Sequence, residues 1–305
     1  MANLKQLTAG TRGSQMALTQ TGRVITRLTK QHPELAVTTK IITTKGDVDD
    51  TPIPLDTIGK AWFTKEIEQE LLDKNIDFAV HSLKDVPPEL PPGLTVLPIL
   101  PRDDPRDGLV ATSATTLATL PKGATVGTDS LRRKALLLQT RPDLDVKSIR
   151  GNANTRLQKL EAGDFDALVM AVAGLERIGR SEMVVEYLDP TTFVPSIGQG
   201  ALAVEVRLER TDLITLFKEL QDGACVQATA AEQAFAEVIG GGCKLPVACY
   251  VHIEAGAAKV YSMVGSMDGT RCVTVSLEGP AAKALELARQ LAHELAEEPF
   301  VAEYA

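Results

Sequence analysis

An apolar strand, a turn carrying Gly or a polar residue, then a helix: this order recurs along the chain and limits its fold more than any other feature. "LKQLTAGT" reads as a strand, Arg12-Gly13 as its turn, and Ser14 to about Gln31 as a helix with Ser14 as N-cap. "AVTTKIITT" is a second strand, "TKEIEQELLDKN" a helix, and "IDFAVHS" a third strand. "KGDVDDTPIPLDTIGKAWF" carries Gly, Pro and Asp throughout without an apolar period, and reads as a lid. A Pro-rich stretch, "PPELPPGLTVLPILPRDDPRDG", passes through another strand and looks like a domain crossing. The alternation then restarts with strands "ATVGT", "DVKSIR" and "FDALVMAVAG" and helices "SLRRKALLLQTRP", "NTRLQKLEAG" and the one opening at "LERIGR". This is the α/β class, with two units on one plan. Strand ends that feed helix N-termini line the ligand crevice of open α/β sheets, and those N-termini favour anions.

After "VPSIGQGALAVEVR", a return segment with a strand, the texture changes. "VQATAAEQAFAEVIGGG" is a helix ended by glycine. Three strand-like runs follow, "LPVACYVHIEA", "AKVYSMVGS" and "RCVTVSLEG", and an amphipathic helix closes the chain from Pro280 to about Glu297. The expected division is residues 1–100 with 200–220, residues 104–196, and a small α+β domain at 223–305.

Several functions are disfavoured by composition. No apolar run approaches the roughly 20 residues of a membrane helix, and "MANLKQLTAGTRGSQ" has no apolar signal core. Four scattered cysteines and four histidines give neither a disulfide scaffold nor a metal site, so a cytoplasmic protein with reduced thiols is expected. A net charge of −8 argues against a nucleic-acid binder. Yet between Asp129 and Lys159 eight basic residues face three acidic ones, a local +5. That segment is either a solvated, salt-bridged helix face or a site for a polyanion, since the arginine fork grips carboxylates bidentately. Four of its arginines start helices after strand ends, in "GTDSLRR" and "RGNANTR".

Three further residues carry two readings each. Asp85, beside Lys84 at the end of "AVHSLKDVP", is a turn former or a carboxylate kept ionised for proton transfer and cation stabilisation. Cys243, in "GGGCKLP", is a small buried thiol or a modifiable sulfur left uncrowded by glycines and activated by Lys244. His81 reads as structural, and Cys225, Cys249 and Cys272 read as packing.

Together these stretches resemble the porphobilinogen deaminase (hydroxymethylbilane synthase) family. The resemblance runs nearly end to end through "TRGSQMAL", "AVHSLKDVP", "DDPRD", "GTDSLRR", "RGNANTRLQKL", "AVAGLERIG", "GQGALAVE" and "GGCKLP". It implies two α/β domains like those of periplasmic binding proteins, with an active-site cleft between them, and a third domain carrying a dipyrromethane cofactor. The implied reaction joins four porphobilinogens head to tail with loss of ammonia. Asp85 would be the catalytic residue and Cys243 the thioether attachment point. Lys84, Ser82, Thr128, Ser130, Arg132, Arg133, Arg150 and Arg156 would hold the cofactor's carboxylates. Arg12, Ser14, Lys60, Phe63 and Gln199 would meet the substrate, with Lys60 and Phe63 in the lid. The resemblance further implies a monomer, without metal or nucleic acid, whose product passes to a uroporphyrinogen-III synthase.

This chain departs from the family pattern in places. Asp129 stands where serine is usual, an acid that would weaken the clamps unless it points away. The lid is one residue longer, lacks a lysine before Lys60, and has Trp62 for the usual leucine. Two rival readings remain at this level. One is a two-domain binding protein for a small carboxylate anion. The other is a thiol enzyme using Cys243 as nucleophile.

Overall fold

A computed structural model describes residues 4–44, 64–87, 89–240 and 245–304. The chain divides into two compact units, residues 1–102 with 201–226 and residues 103–200 with 227–305.

The first unit is built on a five-stranded sheet. Its strands are β1 (Gln6–Thr11), β2 (Ala36–Ile41), β3 (Phe78–Ser82), β4 (Leu94–Ile99) and β10 (Leu202–Arg207), in the order β2-β1-β3-β10-β4. β1 runs parallel to β2 and β3, and β10 is inserted antiparallel between β3 and β4. β3 is buried on both faces, which explains its unbroken apolar run. Phe78 and Val80 point to the side of α1 (Gln15–Gln31) and α6 (Thr211–Lys218), where Val24, Leu28 and Phe217 complete the core. Ala79 points the other way, to Ile67 and Leu71 of α2 (Lys65–Leu72).

The second unit repeats this plan. Its sheet has β5 (Asp107–Val110), β6 (Thr125–Gly127), β7 (Asp145–Lys147), β8 (Ala167–Ala171) and β9 (Val184–Tyr187), in the order β7-β6-β8-β5-β9. Again the three parallel strands lie together and an antiparallel strand, β5, follows them. The helices are α3 (Leu131–Thr140), α4 (Ala153–Glu161) and α5 (Val172–Arg177). Two differences from the sequence reading stand out. β5 and β9 were not expected, because each is short and β5 has a glycine in place of a side chain. "AVAG" continues the apolar run but turns helical at Val172, where periodicity alone cannot separate a buried strand from a buried helix.

The C-terminal part is α7 (Gly223–Ile239), whose first turn is counted with the first unit, a meander of β11 (Val247–Glu254), β12 (Ala257–Gly265) and β13 (Cys272–Pro280), and α8 (Ala284–Ala296). One face of the meander packs with α7 and α8 through Phe235, Val260 and Leu291. Ala248, Tyr250 and Met263 from the meander enter the core of the second unit's five-stranded sheet, beside Ala135 and Leu136 of α3. Cys225 and Cys249 are buried in cores, and burial pushes the Cys272 thiol up to about 12, so these three cysteines pack as expected.

Glu68 of α2 is a buried acid, 4% exposed. Burial pushes its pKa up, and the charges of Glu205 and Glu66 push the same way. The folded state therefore binds this proton more tightly than the unfolded chain does. The stability tied to it is complete below the ordinary value of about 4.5 and is lost as pH rises through the folded pKa. Glu68→Gln should match wild type near pH 4 and exceed it by a margin that grows towards pH 8, read as urea midpoints. A margin independent of pH would contradict this.

Candidate active site

Both sheets place their candidates at the carboxyl ends of parallel strands, the edge where α/β sheets take ligands. In the first unit, β1 delivers Arg12 and Ser14, and β3 delivers Ser82, Lys84 and Asp85. Ser14 is the N-cap of α1, as expected, and accepts from the Ala17 amide at 3.3 Å. Losing such a cap costs about 1 kcal/mol. Arg12 beside it is half-buried. Ser82 is buried and its hydroxyl accepts from Gln20 Nε2 at 2.8 Å. A single 3-10 turn, Leu83–Asp85, follows β3 directly. The Leu83 amide donates to Ala201 O at 3.0 Å and the Val86 amide to Leu83 O at 3.1 Å, which closes the turn. Lys84 is half-buried on it and Asp85 is exposed.

In the second unit, β6 leads through Thr128, Asp129 and Ser130 into α3. Ser130 caps that helix by accepting from the Arg133 amide at 3.4 Å, and Thr128 Oγ1 accepts from the Ser130 amide at 3.2 Å. β7 leads through Arg150 and Gly151 to Asn152, which caps α4 by accepting from the Thr155 amide at 3.0 Å. Gly151 has φ +108°, and a Cβ there would lie 2.6 Å from Thr155 Cγ2, so this turn requires glycine. Arg156, half-buried in the first turns of α4, donates from Nε to Gly151 O at 2.8 Å. Its guanidinium is pushed below the usual arginine range, first by burial and then by the charges of Arg133 and Arg150, with Asp129 pulling the other way. It remains cationic at any working pH.

Three of the candidates also hold a buried acid. Arg132, Arg133 and Gln199, the candidates for cofactor and substrate, surround Asp107, which is fully buried. Arg132 Nη1 lies 2.7 Å from Asp107 Oδ2 and also donates to Val194 O at 2.7 Å. Arg133 reaches Asp107 Oδ1 through Nε at 3.1 Å and Nη2 at 2.7 Å, and Val169 O through Nη1 at 3.1 Å. Gln199 Nε2 donates to the same Oδ1 at 3.0 Å and to Pro105 O at 2.7 Å, with the residue wholly buried. Burial would push the Asp107 carboxyl up, but the two guanidiniums outweigh it and hold the pKa far below the usual range. Arginines one residue apart on a helix start read as clamps. A buried aspartate from a strand 25 residues earlier adds a structural tie to that reading.

"DDPRD" was quoted without a role, and its three acids all hold arginines. Asp103 pairs with Arg177 at 2.8 Å, Asp104 with Arg106 at 2.6 Å, and Asp107 with Arg132 and Arg133. Arg177 is 8% exposed, and its Nη2 also donates to Gly200 O at 2.8 Å. Gln20 and Arg177 were not singled out in the sequence, because nothing in a helix pattern marks which polar residue will face a strand end. Asp129 does not point away from the clamps. Its carboxylate pairs with Arg150 Nε at 3.3 Å and accepts from Ser148 Oγ, so it offsets part of the local positive charge. Lys60, Phe63, Trp62, Cys243 and Lys244 lie outside the described residues. Among the described residues no group of His, Cys, Asp and Glu is arranged to hold a metal ion.

Arginines and capping side chains gathered on two neighbouring strand-to-helix turns are the donor set that a polycarboxylate would complete, so the described residues fit a dipyrromethane bearing acetate and propionate arms. The comparisons agree with this. The model "Porphobilinogen deaminase, dipyromethane cofactor binding domain" matches residues 7–215, and "Porphobilinogen deaminase, C-terminal domain" matches residues 226–297. The porphobilinogen deaminase of Roseiflexus castenholzii is 44% identical over 95% of this chain and 95% of its own. That of Syntrophomonas wolfei is 42% identical over 96% and 95%, and that of Bacillus subtilis 44% identical over 87% and 85%. Among solved structures, the periplasmic aliphatic sulphonate binding protein SsuA from Escherichia coli aligns with 76% of this chain and 70% of its own at 16% identity and TM-score 0.41. Matched over nearly its whole length by both models and by these relatives, the chain belongs to the porphobilinogen deaminase family.

Proposed function

We propose that Asp85, Lys84 and the basic turns of the second unit carry out the family's reaction, with the roles below. The enzyme is a transferase that joins four porphobilinogens head to tail, releasing ammonia at each step, to give hydroxymethylbilane. When bound, the dipyrromethane supplies the free pyrrole carbon at which the first substrate is joined. Loss of the amine from porphobilinogen leaves an electron-poor methylene-pyrrole cation. Asp85, exposed on a closed turn, stabilises that charge as it develops and moves protons to the departing amine and from the substituted ring carbon. Lys84 and Ser82 meet carboxylate arms. So do Arg150, Arg156, Thr128, Ser130, Arg132 and Arg133, the last two while also holding Asp107. Arg12, Ser14 and Gln199 meet the incoming substrate. Lys60 and Phe63 keep the lid role that the resemblance implies.

The single observation that supports this most is the placing of Ser130, Arg150 and Arg156 on two adjoining strand-to-helix turns of one sheet, where a multiply charged anion would find both helix starts and guanidiniums. The functional division remains residues 1–100 with 200–220, residues 104–196, and residues 223–305. The protein works as a cytoplasmic monomer and passes its product to a uroporphyrinogen-III synthase. Among the described residues no helix is long and apolar enough to cross a membrane.

Cys243 is the attachment point in this reading. Intact mass under denaturing conditions should show the wild type heavier than its sequence by two linked deaminated pyrrole units, and Cys243→Ser at its bare sequence mass. A bare wild type that stays bare after incubation with porphobilinogen would turn the reading towards a carboxylate-binding protein.

A further inference from the structure

Successive side chains of a strand point to opposite faces, so His81 and Ser82, the last residues of β3, are held from opposite sides. Gln20 of α1 holds Ser82. On the α2 side, His81 Nε2 lies 3.0 Å from Glu205 Oε2. Glu205 is on β10 opposite Ala79, and therefore on the same face as His81. His81 is 7% exposed and Glu205 1%. Their surroundings on this face include Ile42, Ile67, Leu71, Ala79 and the third buried group, Glu68. Among the described residues, Oε1 of Glu205 and Oε1 of Glu68 have no hydrogen-bond partner.

Stability does not explain this arrangement. A buried carboxylate with an unmatched oxygen is costly, and apolar side chains of similar volume commonly do as well or better. What the pair supplies is direction, a hydrogen bond in a dry layer that admits one geometry. It acts one rung before the end of the strand, where His81 lies opposite Ala203 and just ahead of the turn of Lys84 and Asp85. The same strand holds that turn a second time, because the Leu83 amide donates to Ala201, the residue before β10.

We propose that Glu205 is a positioning residue for the reaction: through His81 it holds the end of β3 in the geometry from which Lys84 and Asp85 act. This rests on Asp85 as the reacting carboxylate, so Asp85→Asn accompanies the test. Glu205→Leu fills the same space without the hydrogen bond, and Glu205→Gln keeps a partner for the imidazole. The cofactor-loaded enzymes are compared for kcat, KM, loaded mass and urea midpoint. For Glu205→Leu we expect full loading, a midpoint at or above wild type, KM within about twofold, and kcat lower by roughly ten- to a hundredfold. Glu205→Gln should recover kcat to within about threefold of wild type. His81→Leu breaks the same contact from the other side and should reproduce the loss of kcat, which keeps the test open if one variant folds poorly.

A wild-type kcat in loaded Glu205→Leu, beside an inactive Asp85→Asn, overturns the positioning role alone. An active Asp85→Asn overturns the assignment of Asp85 and the positioning role with it. A kcat that falls only in proportion to the unfolded or unloaded fraction makes the pair structural and overturns the proposal.

Discussion

Asp85→Asn is expected to fold, to load its cofactor, and to turn over about 10²–10³-fold more slowly than wild type. The fold should be indifferent to the change. Asp85 is exposed, and its turn is closed by backbone bonds from Leu83 and Val86 rather than by the carboxylate. The reaction should not be indifferent, because the carboxamide is nearly the same size but cannot match a developing cation or alternate between acid and base. Ammonia release gives the rate, intact mass the loading, and the urea midpoint the fold. Activity within about twofold of wild type would remove Asp85 from the chemistry and return it to the turn-forming reading.

The largest structural effect is expected at Asp107. Asp107→Asn leaves the Arg132 and Arg133 guanidiniums buried without their counter-ion, a loss of about 3–5 kcal/mol. In a body of this size that lowers the melting temperature by roughly 10 °C. The wild type should show the same dependence as pH falls. The carboxyl pKa is depressed in the folded state, so the stability it contributes is present above the ordinary value of 3.8 and is lost as pH falls towards the folded value. The variant should therefore approach the wild type in stability towards acid and fall furthest behind near neutral pH. Denaturant midpoints from pH 3 to 7 test both statements, and equal midpoints at pH 7 would show that the buried cluster contributes nothing. Since Arg133 and Ser130 share the first turn of α3, the variant should also load less cofactor at equal folded fraction.

Much of this protein was legible along the chain. The strand–turn–helix order and the capping role of Ser14 are local matters. They are set by dihedral preference and by the few hydrogen bonds each turn must satisfy, and the observed strands and helices follow. The resemblance carried the reaction, because "HSLKDVP" and "GGCKLP" are specific blocks. What the chain order hides are pairings over long separations. Nothing near Asp107 in sequence announces that it will neutralise Arg132 and Arg133, or that Gln199 will complete the cluster. Nothing near His81 points to Glu205, 124 residues away. The antiparallel insertions of β10 and β5 bring those partners together. An arginine beside a serine on a helix start has the same local pattern whether it faces a ligand or a buried acid. Only the strand packed against it decides, because a charge removed from water must find its counter-ion in the fold. The sequence by itself therefore determined the α/β plan and the family, and singled out Asp85 as the candidate carboxylate. The tertiary structure decided which arginines hold a buried aspartate and which buried acid His81 meets, because both pairings join strands far apart in the chain.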